Sequence, residues 1–114
     1  MSGISTHVLD TSRGRPAAGV EATLARRAAG GGWEEIGRGT TDGDGRIGAL
    51  LAEGRPLAAG EHRLTFALGP WFEAQGVEAF YPEASVVFRV RDPGQHHHVP
   101  LLLSPFGYST YRGS

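Results

Sequence analysis

Histidine, arginine and serine are the residue types whose placement in this chain could do chemistry. His7 sits near the start, Arg46 directly follows the run Thr41-Asp42-Gly43-Asp44-Gly45, three histidines run from His96 to His98, and Ser114 is the last residue. Histidine titrates near neutrality, so a pair can take a proton from water and return one to a departing nitrogen. An arginine can hold an anionic or carbonyl-rich molecule through forked hydrogen bonds. Together such groups suit hydrolysis of a small, polar, electrophilic ring. Each also has a structural reading. A single strand histidine most often makes a structural hydrogen bond, a histidine run before an apolar strand is often a solvated edge, and an arginine after a turn is usually a surface charge. A last serine is usually frayed. Strand alternation adds a limit: His96 and His98 share one face and His97 takes the other, so at most two of the three act together.

Other chemistries fit less well. There is no cysteine, which excludes disulfides, thiolate metal sites and a cysteine nucleophile. All eleven basic residues are arginine, which excludes Schiff-base lysine chemistry. Several histidines could bind zinc or copper, but no carboxylate stands near them at ligand-like spacing. Asp42-Gly43-Asp44 looks like the start of a calcium loop, yet Arg46 and Ile47 stand where a third oxygen ligand and the invariant glycine belong. No G-x-S-x-G elbow supports a serine triad. The acid–base reading therefore needs no metal and no cofactor. A net charge of −1 offers no positive field for nucleic acid. The N-terminal MSGISTHVLD has neither a basic region nor a long apolar run, so no membrane partner is expected and a soluble, cytoplasmic protein is the default.

The elements that must position these residues are strands. At 114 residues the chain is of single-domain size, residues 1–114. Eighteen glycines and seven prolines punctuate short apolar runs, the mark of an all-β domain. Strands are expected at Ile4 to Leu9, around Val20 to Ala25, on a return through Trp33, Ile36 and Thr40, from about Glu61 to Leu68, and around Val86 to Arg91. Residues 48–60, rich in Ala, Gly and Leu, suit a short edge strand. The one helix is expected at Pro70 to Gln75, with Pro70 as its first position and Gly76 its stop. From about His97 to Leu103 the chain is apolar on both faces, through Val99, Leu101, Leu102 and Leu103. Such a run is usually covered on both sides, which points to a second subunit over the outer face. A last strand at Tyr108 to Tyr111 makes roughly eight.

With these motifs in place, the sequence resembles the 5-hydroxyisourate hydrolases, the transthyretin-related proteins of urate breakdown. The resemblance covers essentially the whole chain. It is carried by Thr6-His7-Val8-Leu9-Asp10 with Ser12-Arg13-Gly14-Arg15-Pro16, by Thr41 to Arg46, by Phe80-Tyr81-Pro82-Glu83, by His98-Val99-Pro100-Leu101-Leu102-Leu103-Ser104-Pro105, and by Tyr111-Arg112-Gly113-Ser114. The terminal tetrapeptide is its most specific part, separating the hydrolases from the hormone-carrying transthyretins.

The resemblance implies a transthyretin-like sandwich of two four-stranded sheets with one short helix after the fifth strand. It implies a homotetramer, a dimer of dimers, with active sites where the dimers meet. The implied catalytic residues are His7, Arg46, His98 and Ser114, with Tyr111 and Arg112 joining them in binding 5-hydroxyisourate. One departure stands out: the family usually has His-Tyr-His before Val-Pro, and here the middle residue is His97. Since His97 faces away from His98, little effect on the chemistry is expected. The runner-up is a carrier of a small aromatic ligand in the same channel, for which apolar lining would be expected instead of His7, Arg46 and His98. A bare scaffold leaves the histidines and the apolar strand without a purpose.

Overall fold

A computed structural model of the chain describes residues 3–114 and forms strands where apolar and polar residues alternate. The elements in order are β1 (Gly3–Asp10), β2 (Arg15–Pro16), β3 (Glu21–Arg27), β4 (Trp33–Thr40), β5 (Arg46–Ile47), β6 (Gly60–Ala67), α1 (Leu68–Glu73), β7 (Glu83–Val90), β8 (His96–His98), β9 (Leu101–Ser104) and β10 (Gly107–Thr110). They form two sheets. One has the order β4-β3-β6-β7, antiparallel throughout. In the other, β10 pairs β9, β1 lies beside both β8 and β9 in parallel, and β2 and β5 pair β1 antiparallel. That sheet has four strand positions, two of them broken into short segments, so the expected sandwich of two four-stranded sheets with one short helix is the fold observed.

The core fills the space between the sheets. Ile4, Val8, Leu101 and Leu103 project from one, and Ala22, Leu24, Leu64, Phe66 and Ala84 from the other, all at most 2% exposed. Burying a leucine or phenylalanine of this kind stabilises by roughly 1.5–3 kcal/mol. In β6, His62, Leu64 and Phe66 are buried while Arg63, Thr65 and Ala67 are half-buried, the period of two made visible.

Three expectations need correction. The edge strand expected within 48–60 is instead the two-residue β5, and the stretch that follows is a connection crossing between the sheets. The Leu50 N–H donates to Ile4 C=O in one sheet and the Ala52 N–H to Ile36 C=O in the other, at 3.0 and 2.9 Å. A segment split in this way cannot sustain one ladder. Its close approach depends on Gly37, where a Cβ would lie 1.7 Å from the Leu50 carbonyl oxygen. The strand expected from His97 to Leu103 is broken between β8 and β9, since Pro100 has no N–H for the ladder. Threonine hydroxyls take the carbonyls at the break: Thr6 Oγ1 donates to Val99 C=O at 2.6 Å and Thr110 Oγ1 to Pro100 C=O at 2.7 Å. Finally, α1 begins two residues before Pro70. The Leu68 and Gly69 N–H groups both donate to Pro82 C=O, so the helix is started by a contact distant in sequence, and Pro70 falls in the first turn, where no N–H is needed. The stop at Gly76 holds. With φ of +69° it completes a Schellman pair, Val77 N–H to Phe72 C=O and Gly76 N–H to Glu73 C=O, both 3.0 Å.

Two histidines lie in the interior. His62 is fully buried, stacks on Phe88 with ring centroids 5.7 Å apart, and bonds Gly60 C=O through Nδ1 while Nε2 has no partner. His97, on β8, points inward as alternation requires, and its Nδ1 has no partner. Burial is the main cause that pushes both imidazoles below their ordinary value of 6.5. A lowered histidine pKa in the folded state gives stability that is complete above the unfolded value and is lost as pH falls below it. Thermal midpoints are therefore expected to drop as pH is lowered from about 7 to about 5. In a His62→Phe, His97→Phe double variant that slope should flatten; an unchanged slope would contradict the assignment.

Candidate active site

Alternation along β1 and its neighbours decides what meets on the outer face of the first sheet. Ile4, Thr6 and Val8 turn inward, which leaves Ser5 and His7 outward. On one side His7 is paired in register with Arg46 of β5, where Ile47 is buried and Arg46 exposed. On the other side Ser5 is paired with His98 of β8, where His97 is buried and His96 and His98 turn outward. Residues 5, 7, 46, 96 and 98 thus converge on one face from three segments.

Each is held by local chemistry. The turn before Arg46 is built on Asp42, whose Oδ1 accepts the Asp44 and Arg46 N–H groups at 2.9 and 3.0 Å. Those bonds are the main cause that lowers the Asp42 pKa. Gly45 has φ of +75°, and a Cβ there would lie 2.5 Å from the Val8 carbonyl oxygen, so the turn can only close against β1 with glycine. Among the described residues the Arg46 guanidinium makes no hydrogen bond or ion pair, so its donors are unspent. His98 is half-buried and accepts or donates at Nδ1 to Ser5 Oγ, 2.8 Å away; the same oxygen lies 2.7 Å from His96 Nε2. Burial first, then the electrostatic influence of neighbouring His7, His96 and Arg46, pushes the His98 pKa below 6.5, keeping the ring neutral and able to accept a proton near neutrality.

The last residues run back across this face. Gly113 N–H donates to His98 C=O at 2.9 Å, a single antiparallel bridge that brings Ser114 beside the site. Ser5, Arg46, His96, His98 and Ser114 line one cleft of about 280 Å³. Tyr111 and Arg112 do not line it. They border a second cleft, about 310 Å³, between β7 and the tail, with Val86, Phe88 and His97; His98 stands between the two. A cleft of about 350 Å³ over the other sheet, lined by Glu21, Arg38, Thr65 and Glu83 among others, has no histidine and no acid–base pair suited to neutral pH. Among the described residues no group of three or more His, Asp or Glu side chains is placed to hold a metal ion.

Of the expected residues, Arg46, His98 and Ser114 line the cleft of about 280 Å³, and His7 lies on the same face as the register partner of Arg46 without lining it. Ser5 was not expected there. Its spacing of two from His7 on a strand was the available signal, and that spacing says only that the two share a face. Gly113 was seen as part of a motif, without its reason: a Cβ would lie 2.6 Å from His98 Cδ2 and 3.2 Å from Cγ. Gly113→Ala must therefore push the imidazole aside. A displacement of about 1 Å in a reacting group costs about 10²-fold in rate, so this variant is expected to lose activity on that scale with its circular dichroism unchanged.

Comparison with known proteins agrees with the fold. The family model described as HIUase/Transthyretin matches residues 4–113. A 5-hydroxyisourate hydrolase of Caulobacter vibrioides is 47% identical over 118 aligned positions that span all of both chains. The structure of Klebsiella pneumoniae 5-hydroxyisourate hydrolase superposes with a TM-score of 0.84 at 40% identity, covering 99% of this chain and 100% of that one. Sea bream transthyretin, solved with thyroxine, gives 0.87 at 35% identity over 96% of this chain and 93% of its own. The two-sheet sandwich is that of the transthyretin-like proteins, and the chain belongs to the HIUase/Transthyretin family.

Proposed function

We propose that this chain, acting as one domain in the cytoplasm, is a cyclic amide hydrolase that opens 5-hydroxyisourate to 2-oxo-4-hydroxy-4-carboxy-5-ureidoimidazoline in urate degradation, without metal or cofactor. The observation that carries the reading is the meeting of Arg46, His98 and Ser114 around one cleft, with His7 paired beside Arg46 on the same face and with a neutral imidazole and an unpaired guanidinium facing the cleft. In the proposed reaction His98 and His7 orient and deprotonate a water. The water oxygen bonds to a ring carbonyl carbon, negative charge builds on the carbonyl oxygen, and the carbon–nitrogen bond breaks as a histidine protonates the departing nitrogen. Arg46 holds the substrate and stabilises the developing charge. The Ser114 hydroxyl closes the cleft. Tyr111 and Arg112, from the far side of His98, complete the substrate-binding set.

The site lies on an open sheet face, which is the reason to expect a second copy over it. Half-buried Leu9 and Leu102, paired across β1 and β9, stand on that face. The edge strands β7 and β10 flank one cleft, and exposed Phe80, Tyr81 and Tyr108 form a separate aromatic cluster with their rings in edge contact. These features support a homotetramer with the sites between dimers, and sedimentation equilibrium at micromolar concentration tests it. Among the described residues no helix is long and apolar enough to cross a membrane.

The likeness to sea bream transthyretin, as close in fold as that to the Klebsiella hydrolase, favours a second reading, a carrier of thyroxine-like ligands. The charged and titratable lining weighs against it. Accelerated loss of freshly generated 5-hydroxyisourate supports the hydrolase; tight thyroxine binding without turnover supports the carrier.

A further inference from the structure

Ser5 is almost fully buried, and its hydroxyl lies between two imidazole nitrogens, His98 Nδ1 at 2.8 Å and His96 Nε2 at 2.7 Å. A hydroxyl carries one hydrogen, so it donates to one ring and accepts from the other. His98 Nδ1 is spent on this bond, which leaves Nε2 as the nitrogen free to react. For Nε2 to hold a lone pair in the neutral ring, the hydrogen must sit on Nδ1. Ser5 Oγ then accepts from His98 and donates to His96 Nε2. The His96 ring is exposed and rests over Gly3, where a Cβ would approach within 3.5 Å of its Nδ1.

We infer that Ser5 is a positioning residue that, in series with His96, holds His98 in the tautomer with Nδ1 protonated and Nε2 open. The inference rests on the reading of His98 as the acid–base group.

The test combines kinetics on 5-hydroxyisourate with ¹⁵N NMR of the histidine rings in Ser5→Ala, His96→Gln and His96→Leu. Loss of a partner that orients a reacting group typically costs about 10–100-fold. Ser5→Ala and His96→Leu should lower kcat on that scale with KM nearly unchanged, and His98 should shift from the Nδ1–H form toward a mixture of tautomers. His96→Gln, whose amide oxygen still accepts from Ser5, should keep both wild-type kcat and the Nδ1–H signal. A merely structural serine would not separate glutamine from leucine at position 96. The inference is overturned if wild-type His98 carries its hydrogen on Nε2, or if Ser5→Ala keeps full kcat while His98→Asn is inactive. Full activity in His98→Asn would overturn the acid–base reading itself, and the NMR arm reports the tautomer whether or not turnover is seen.

Discussion

His98→Asn is expected to lose about 10²–10⁴-fold in kcat/KM for 5-hydroxyisourate, the span that a positioned acid–base group supplies, while the thermal midpoint near pH 7.5 stays close to wild type. β8 is short and leaves the parallel ladder at Pro100, so its two outward rings are fixed by the pairing with β1 and by Ser5. Asparagine keeps a polar group within reach of Ser5 and keeps the Gly113 bridge, which uses only the backbone of residue 98. It removes the imidazole assigned to acid–base work beside Ser5. Because burial and the electrostatic influence of its neighbours lower the His98 pKa, the acid limb of the wild-type rate profile should lie below pH 6.5, the ordinary histidine value. The limb should disappear in the variant.

The second large effect is expected at Arg46. Its backbone is pinned by Asp42, and its side chain is left without a protein partner among the described residues, so truncating it should cost the fold little. In Arg46→Met, kcat should fall by about 10²–10³-fold, the scale for removing one preorganised donor to a developing oxyanion. Arg46→Lys keeps the charge and loses the planar fork, so it should recover only part of the rate. The two variants together separate charge from geometry: equal rates in both would mean that the forked donors are what matter, and full rescue by lysine that charge alone suffices. A wild-type rate in Arg46→Met, measured by stopped-flow loss of substrate, would contradict the role.

Much of this arrangement was legible in the sequence because a strand's period is two. Alternation put His96 and His98 on one face and His97 on the other, and that follows from any pairing β8 adopts. The Asp-Gly turn before Arg46 was legible for a similar reason, since aspartate and glycine close turns locally. What alternation does not contain is register. Nothing in the chain says that Ser5 stands opposite His98, which depends on β8 running parallel to β1 from more than ninety residues away, or that Gly113 lies against its ring, which depends on the tail turning back to bridge His98 antiparallel. The crossing of residues 48–60 between sheets was hidden likewise, since Leu50 reads as strand-like until its two neighbours are known. The break at Pro100 could have been read, because a proline without an N–H interrupts a ladder wherever it falls. Leu102 shows the limit of composition: its outward apolar position suggests cover, and within one chain it is half-buried.

The lifetime of 5-hydroxyisourate generated in situ and followed by ultraviolet absorbance tests the proposed ring opening most directly. Wild-type protein at sub-micromolar concentration should shorten that lifetime in proportion to its concentration. His98→Asn and Arg46→Met, equally folded, should leave it near the spontaneous value. A lifetime unchanged by wild-type protein, or shortened equally by all three, would contradict the claim that this histidine–arginine face opens the ring.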